Sequence, residues 1–167
     1  MTTTVVDFAR VFTHPGCCDI LVSNIKYYQK VYQFKIFAYV IMPSHFHWIV
    51  QVNPAIGTLS SVMRDIKKRS AWDIMDQLTR EGQSGLLSLF RKHATGLTDQ
   101  SRKFWMKRFD DEVITTDEML LAKLQYIHNN PVVAGLVSRQ EDYMYSSARN
   151  YANGDHSILR IETNWFD

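Results

Sequence analysis

The stretch KIFAYVIMPSHFHWIVQV, residues 35–52, decides the fold. From Lys35 to Met42 it is β-branched and aromatic, the composition of a buried pleated surface. Pro43-Ser44 punctuates it and His45 to Val52 resumes an extended pattern, so the segment reads as two strands joined by a tight turn. Such a hairpin set among helical segments points to an α+β chain with an antiparallel sheet. Side chains alternate faces along a strand, so His45 and His47 share one side with their rings close enough to bind one ion, while Phe46 points into the core. By itself the triplet favours two half-buried histidines hydrogen-bonded on a strand over a metal site.

Working outward, Val5 to Thr13 alternates loosely and closes at His14-Pro15-Gly16, which reads as a first strand and turn. Cys17 to Phe34 sets Ile20, Ile25, Tyr28, Val31 and Tyr32 at helical spacing, with Asp19, Ser23, Lys26 and Lys30 opposite. Asn53-Pro54 ends the hairpin, and Thr58 or Ser60 caps a helix running to Leu78. Arg80 to Asp99, with Gly82, Gly85 and Gly96, reads as an irregular excursion holding a short helix around Leu86 to His93. Phe104 to Ile114 reads as a strand with Trp105 and Phe109 inward. Thr115 to Glu118 then starts a helix carrying Met119, Leu120, Leu124 and Ile127. Pro131 is expected to end that helix, because the residue before a proline is pushed out of helical geometry. Gly135-Leu136 turns the chain, Ser146 to Tyr151 makes one or two helical turns, and the remainder is a tail. The expected organisation is one domain over residues 1–167, with a core of 1–152 and a C-terminal tail of 153–167.

Hydrophobic residues make up 46% and charged residues 22%, without a low-complexity run, which excludes a disordered chain. A formal charge of +2 demands no nucleic-acid partner. Its distribution says more: Lys67, Lys68 and Arg69 beside Arg64, and Lys107 and Arg108 beside Arg102 and Lys103, form groups suited to track a phosphate backbone. Each group taken singly reads equally well as a solvated surface. Cys17 and Cys18 are adjacent, which excludes a stapling disulfide or a four-ligand zinc site and fits a reducing cytoplasm. No segment reaches the roughly 18 to 20 apolar residues that span a bilayer, and Met1 to Asp7 lacks the pattern of a leader, so neither export nor membrane insertion is expected.

Tyr126 stands four residues before Asn130, a spacing that puts both on one helix face. On periodicity alone a core tyrosine followed by a helix-ending asparagine is the simpler reading. The two regions together carry another meaning. MPSHFHWIV, residues 42–50, and YIHNNPVVAGLV, residues 126–137, closely resemble the two signatures of the single-tyrosine HUH transposases, with the REP-associated tyrosine transposases as the nearest branch. FWMKRF at 104–109 and DYMYSS at 142–147, followed by Asn150-Tyr151, extend the resemblance over roughly residues 36–151. Tyr145 departs from it, since the branch usually has tryptophan there.

The resemblance implies a ferredoxin-like, RRM-like antiparallel sheet flanked by helices, with the histidine pair on a central strand and the tyrosine on a helix beside it. It implies His45 and His47 as ligands of Mg²⁺ or Mn²⁺ and Tyr126 as the nucleophile. Asn130 takes the place of a polar third ligand, often glutamine in related enzymes. The implied activity is that of a transposase, cleaving and rejoining single-stranded DNA with hairpin or palindromic elements through a 5′-phosphotyrosine. Such a protein would work in the cytoplasm at the nucleoid, as a monomer or a homodimer. Two rival expectations stand beside it: a catalytically silent, domesticated hairpin-binding protein, and a metal-dependent hydrolase in which water attacks and Tyr126 is structural. His128, two residues from Tyr126 and so on another helix face, has no assigned role.

Overall fold

In the computed structural model, which describes residues 1–97, 101–107 and 109–164, the expected hairpin is the centre of the sheet. Strand β1 (Thr2–Thr4) precedes helix α1 (Cys17–Tyr32), and β2 (Lys35–Met42) and β3 (His45–Gln51) follow. β2 and β3 pair antiparallel from Lys35 opposite Gln51 to Met42 opposite His45, with an irregularity between Ile36 and Ala38. β1 pairs antiparallel with the other side of β3, Thr2 opposite His47 and Thr4 opposite His45. Among the described residues the sheet therefore has the order β1-β3-β2, and the histidine strand is central.

The pleat then sorts the layers. Tyr39, Ile41, Phe46 and Trp48 face the main core, which receives α1, α2 (Leu59–Arg80) and α3 (Ser84–Ala94). Ala38, Val40, Met42 and Ile49 face the opposite side, where Ile127 of α4 (Asp117–Val133) packs on them. α2 begins where the sequence sets it, because Thr58 and Ser61 form a reciprocal capping box. It is fastened to α1 by Tyr32 donating to Asp65 at 2.6 Å and by Asn24 donating to Asp73 at 3.1 Å. No helix among the described residues is long and apolar enough to cross a membrane.

Several sequence expectations are corrected. Val5 to Thr13 is two short 3-10 turns rather than a strand, and the strand lies before it at Thr2–Thr4. Asp7 and Phe8 take left-handed φ of 57° and 52°, which folds the segment back so that Val5, Val6, Val11 and Phe12 are all buried. Phe104 to Ile114 is not a regular strand either. Among the described residues it bridges β1 and its continuation at two places, Trp105 with Val5 and Asp110 with Thr2, so three steps along one chain face five along the other and a ladder cannot run through. The short helix expected around Leu86 to His93 is present and slightly longer, at Ser84–Ala94.

Pro131 lies inside α4 and does not end it. A proline removes only the bond its own N–H would make one turn back, and the helix closes beyond it. Ala134 N–H reaches Asn130 O at 2.9 Å, Gly135 N–H reaches Val132 O at 2.9 Å, and Leu136 N–H reaches Pro131 O at 2.9 Å. Gly135, at φ 68°, supplies the left-handed residue this closure needs. After α5 (Ala148–Asn153) the chain returns to the core instead of trailing away. Leu159 and Ile161 are buried, and Glu162 N–H bonds Ile36 O at 2.8 Å along the edge of β2.

A Cβ added at Gly57 would lie 2.6 and 2.8 Å from two ring carbons of Tyr32, whose hydroxyl is held by Asp65. Gly57→Ala is therefore expected to destabilise the protein by about 1–3 kcal/mol in urea unfolding. An unchanged midpoint would show that the Tyr32 ring moves freely.

Candidate active site

His45 and His47 project from β3 toward the α4 layer, with ring centroids 4.8 Å apart and planes at 83°. Each ring is oriented through Nδ1. His47 Nδ1 shares a 2.7 Å hydrogen bond with Thr2 Oγ1, its cross-strand partner, and His45 Nδ1 shares one of 3.1 Å with Ser44 Oγ. His47 is 7% exposed, and its Nε2 is buried without a hydrogen-bond partner in the described structure. Burial, reinforced by the neighbouring His45, lowers the His47 pKa to about 4, and burial also lowers that of His45. Both imidazoles are thus held neutral at pH 7, the state in which a ring nitrogen ligates a metal.

Tyr126 reaches the pair from α4. Its ring packs edge-on against His47, centroids 5.5 Å apart at 77°, yet the residue is 58% exposed. The two line a cavity of about 300 Å³ with Thr2, Ile49 and Ile127. Its far wall is Asp110, Asp111 and Glu112, and Lys123, one turn before Tyr126, pairs with Glu112 at 2.5 Å. Asn130 lies one turn after Tyr126, and its Nδ2 donates to the Tyr126 carbonyl at 2.7 Å, which leaves Oδ1 as the acceptor it offers.

The histidine pair fits a divalent cation. A buried, unpartnered Nε2 costs free energy that a bound ion would recover, and hydrogen bonds at Nδ1 are the usual way a ligating histidine is held. No cluster of three or more His, Cys, Asp or Glu residues is gathered among the described residues, so further donors would be amide, water or phosphate oxygens.

The basic groups are not brought to this cavity. α2 packs on the opposite face of the sheet, and there Lys68 and Arg69 are exposed, Arg69 paired with Asp73 at 3.0 Å. Lys67 turns inward and donates to the Met106 carbonyl at 2.7 Å; burial lowers its pKa to about 8. Lys107 is exposed, and Arg108 lies outside the described residues. Sequence reasoning missed Thr2, Ser44 and Lys123. Lys123 was legible in principle, standing three residues before Tyr126 on the same helix face, whereas Thr2 depends on a strand register that nothing local announces.

The fold is shared with a solved structure. That of a REP-associated tyrosine transposase bound to a REP hairpin superposes with a TM-score of 0.65 and 23% identity, covering 99% of this chain and 86% of that one. The model of the IS200-like transposases matches residues 9–130, and the chain belongs to that family. An uncharacterized protein of Haemophilus influenzae is 25% identical over 108 residues, 60% of this chain; the chain spans 56% of that relative's length.

His47 and His128 carry a pH signature. Burial lowers both to about 4, against about 6.5 in an unfolded chain. The unfolded chain therefore takes up protons first, so this stability is complete above pH 6.5 and is lost as pH falls toward 4. The expected loss is on the order of 2–3 kcal/mol per histidine in urea titrations at pH 7 and pH 4.5. His128→Gln should flatten the acid limb, and an equally steep limb in that variant would assign the loss elsewhere.

Proposed function

We propose that the protein cleaves and rejoins single-stranded DNA next to hairpin elements, with Tyr126 as the nucleophile and a divalent ion, Mg²⁺ or Mn²⁺, held by His45 and His47. The observation that carries this reading is the contact of an exposed tyrosine ring with a buried histidine whose Nε2 has no partner. At 58% exposure on the lining of a cavity, Tyr126 is open to a substrate. Membership of a transposase family, and a fold shared with a transposase whose solved structure holds a REP hairpin, agree with it.

When bound, the ion would polarise the scissile phosphate and favour the phenolate. The chain's own groups do the rest. Tyr126 Oη forms a bond to phosphorus as the P–O3′ bond breaks, leaving a 5′-phosphotyrosine and a free 3′-hydroxyl. The proton released by the phenol balances the one taken up by the 3′-oxygen. A 3′-hydroxyl attacking the phosphotyrosine reverses the step, so rejoining needs no external energy source. His47 and His45 are kept neutral by burial and oriented by Thr2 and Ser44, and Asn130 offers its Oδ1 as a third donor. A single-stranded substrate is favoured because an unpaired backbone can enter a cavity of about 300 Å³ that a duplex cannot. Exposed Lys68, Arg69 and Lys107 would hold flanking phosphates rather than the scissile one, whereas Lys67 is bonded inward to the Met106 carbonyl.

Hairpin DNA labelled on the 3′ side of the break is expected to travel with the protein on a denaturing gel in Mn²⁺, while the 5′ fragment is released with an extendable 3′-hydroxyl. Tyr126→Phe should abolish the adduct and keep DNA binding within about threefold, and His47→Ala should lower adduct formation by 100-fold or more. Cleavage persisting in Tyr126→Phe would transfer the attack to water. No adduct with any metal or hairpin would favour a silent binding protein.

A further inference from the structure

α4 buries Ile127, His128 and Pro131, and only His128 among them is polar. It is 4% exposed, takes no part in the chemistry above, and lies against Tyr151 with ring centroids 5.3 Å apart. Its Nε2 shares a 2.7 Å hydrogen bond with Ser147 Oγ. Ser147 in turn is clamped to one residue of β2. Its N–H donates to Tyr39 O at 2.9 Å, and its hydroxyl accepts from Tyr39 N–H at 2.9 Å. Ser146 bridges Val40, and Ile41 N–H donates to Tyr145 O at 2.9 Å, so residues 145–147 are zipped along β2. Val40 is the cross-strand partner of His47. A short rigid path thus runs from His47 to β2, through Ser147 to His128, and along α4 by two residues to Tyr126.

The apolar contact of α4 cannot set that geometry by itself. Ile127 is the one wholly buried α4 side chain in a small cluster with Ala38, Val40, Met42 and Ile49, and Leu120 and Leu124 are only partly buried against it. Apolar burial is non-directional and tolerates a helix that slides or turns. A buried hydrogen bond does not, because separation leaves both partners unpaired in a low-dielectric interior. Turning a helix by one residue swings its side chains by about 100°, and a misplacement of about 1 Å at a reacting atom costs roughly 100-fold in rate.

We propose that the hydrogen bond between His128 and Ser147 is the pin that sets the register of α4 on the sheet, making His128 the positioning residue that holds Tyr126 against His47. The functional half of this inference rests on Tyr126 being the nucleophile. The geometric half does not.

The test uses the full chain with 3-fluorotyrosine at position 126. The ¹⁹F resonance is read without DNA, and adduct formation is read across a range of hairpin DNA concentrations with Mn²⁺. His128→Phe keeps ring volume against Tyr151 and removes the bond, His128→Gln restores a side-chain amide to it, and Ser147→Ala removes the other half. His128→Phe and Ser147→Ala are each expected to slow adduct formation at saturating DNA at least tenfold and to leave the half-saturating concentration within twofold. Both should also move the resonance toward that of free fluorotyrosine, and the double variant should be no worse than either single one. His128→Gln should recover the rate to within threefold. An unchanged rate and resonance in His128→Phe would overturn the proposal, as would a rate loss that His128→Gln does not recover. If the wild-type protein forms no adduct, a shifted resonance upholds the pin while the nucleophile reading falls.

Discussion

The pleat of β3 is the constraint on which everything else hangs. Its side-chain period of two sends Phe46 and Trp48 into the main core and His45, His47 and Ile49 to the α4 face. A slip of one residue would bury imidazoles where the indole and phenyl rings now sit. That slip is blocked because Phe46 and Trp48 are locked edge-on among Phe34 and Trp105, on a face closed by three helices. The hydrophobic effect on one face thereby positions polar groups on the other, and β1 completes the work by setting Thr2 opposite His47.

Two opposite environments meet on the α4 face. Packing around the histidines excludes water, which keeps them neutral and ready to donate lone pairs, at the cost of an Nε2 left without a partner. Tyr126 is instead exposed, and α4 buries only three of its side chains. A helix held so lightly by apolar contact needs directional bonds to keep its place, which gives the buried His128, Ser147 and Tyr39 connection its significance. The acidic wall of Asp110, Asp111 and Glu112 faces the same cavity, and Lys123 pairs with Glu112, so the cavity beside Tyr126 keeps an acidic excess.

Local signals were legible where neighbours in sequence decide the structure. The hairpin, α1 and the Thr58 cap follow from alternation, helical spacing and one hydroxyl. They failed where distant partners decide. Val5 to Thr13 has the composition of a strand, yet its valines are buried by turns that wrap around the Pro43-Ser44 corner, as the bonds from Val5 N–H to Ser44 O and from Phe12 N–H to Pro43 O record. Phe104 to Ile114 has a strand's aromatics and the wrong number of residues for a ladder with β1. Pro131 carries a correct local rule that a well-closed helix end overrides.

By itself the sequence determined which residues belong together: two histidines one pleat apart, a tyrosine and an asparagine one helical turn apart, and two long motifs in order. These are relations between near neighbours, written in periods of two and of 3.6. Only the tertiary structure decided that the Tyr126 ring meets His47 edge-on, and that Thr2 and not another hydroxyl orients that imidazole. It also decided that Lys67 is spent on a backbone carbonyl while Lys68 faces solvent, and that His128 is anchored through Ser147. Each of these joins residues far apart along the chain, and such contacts are set by the closure of the whole core, which no short stretch of sequence contains.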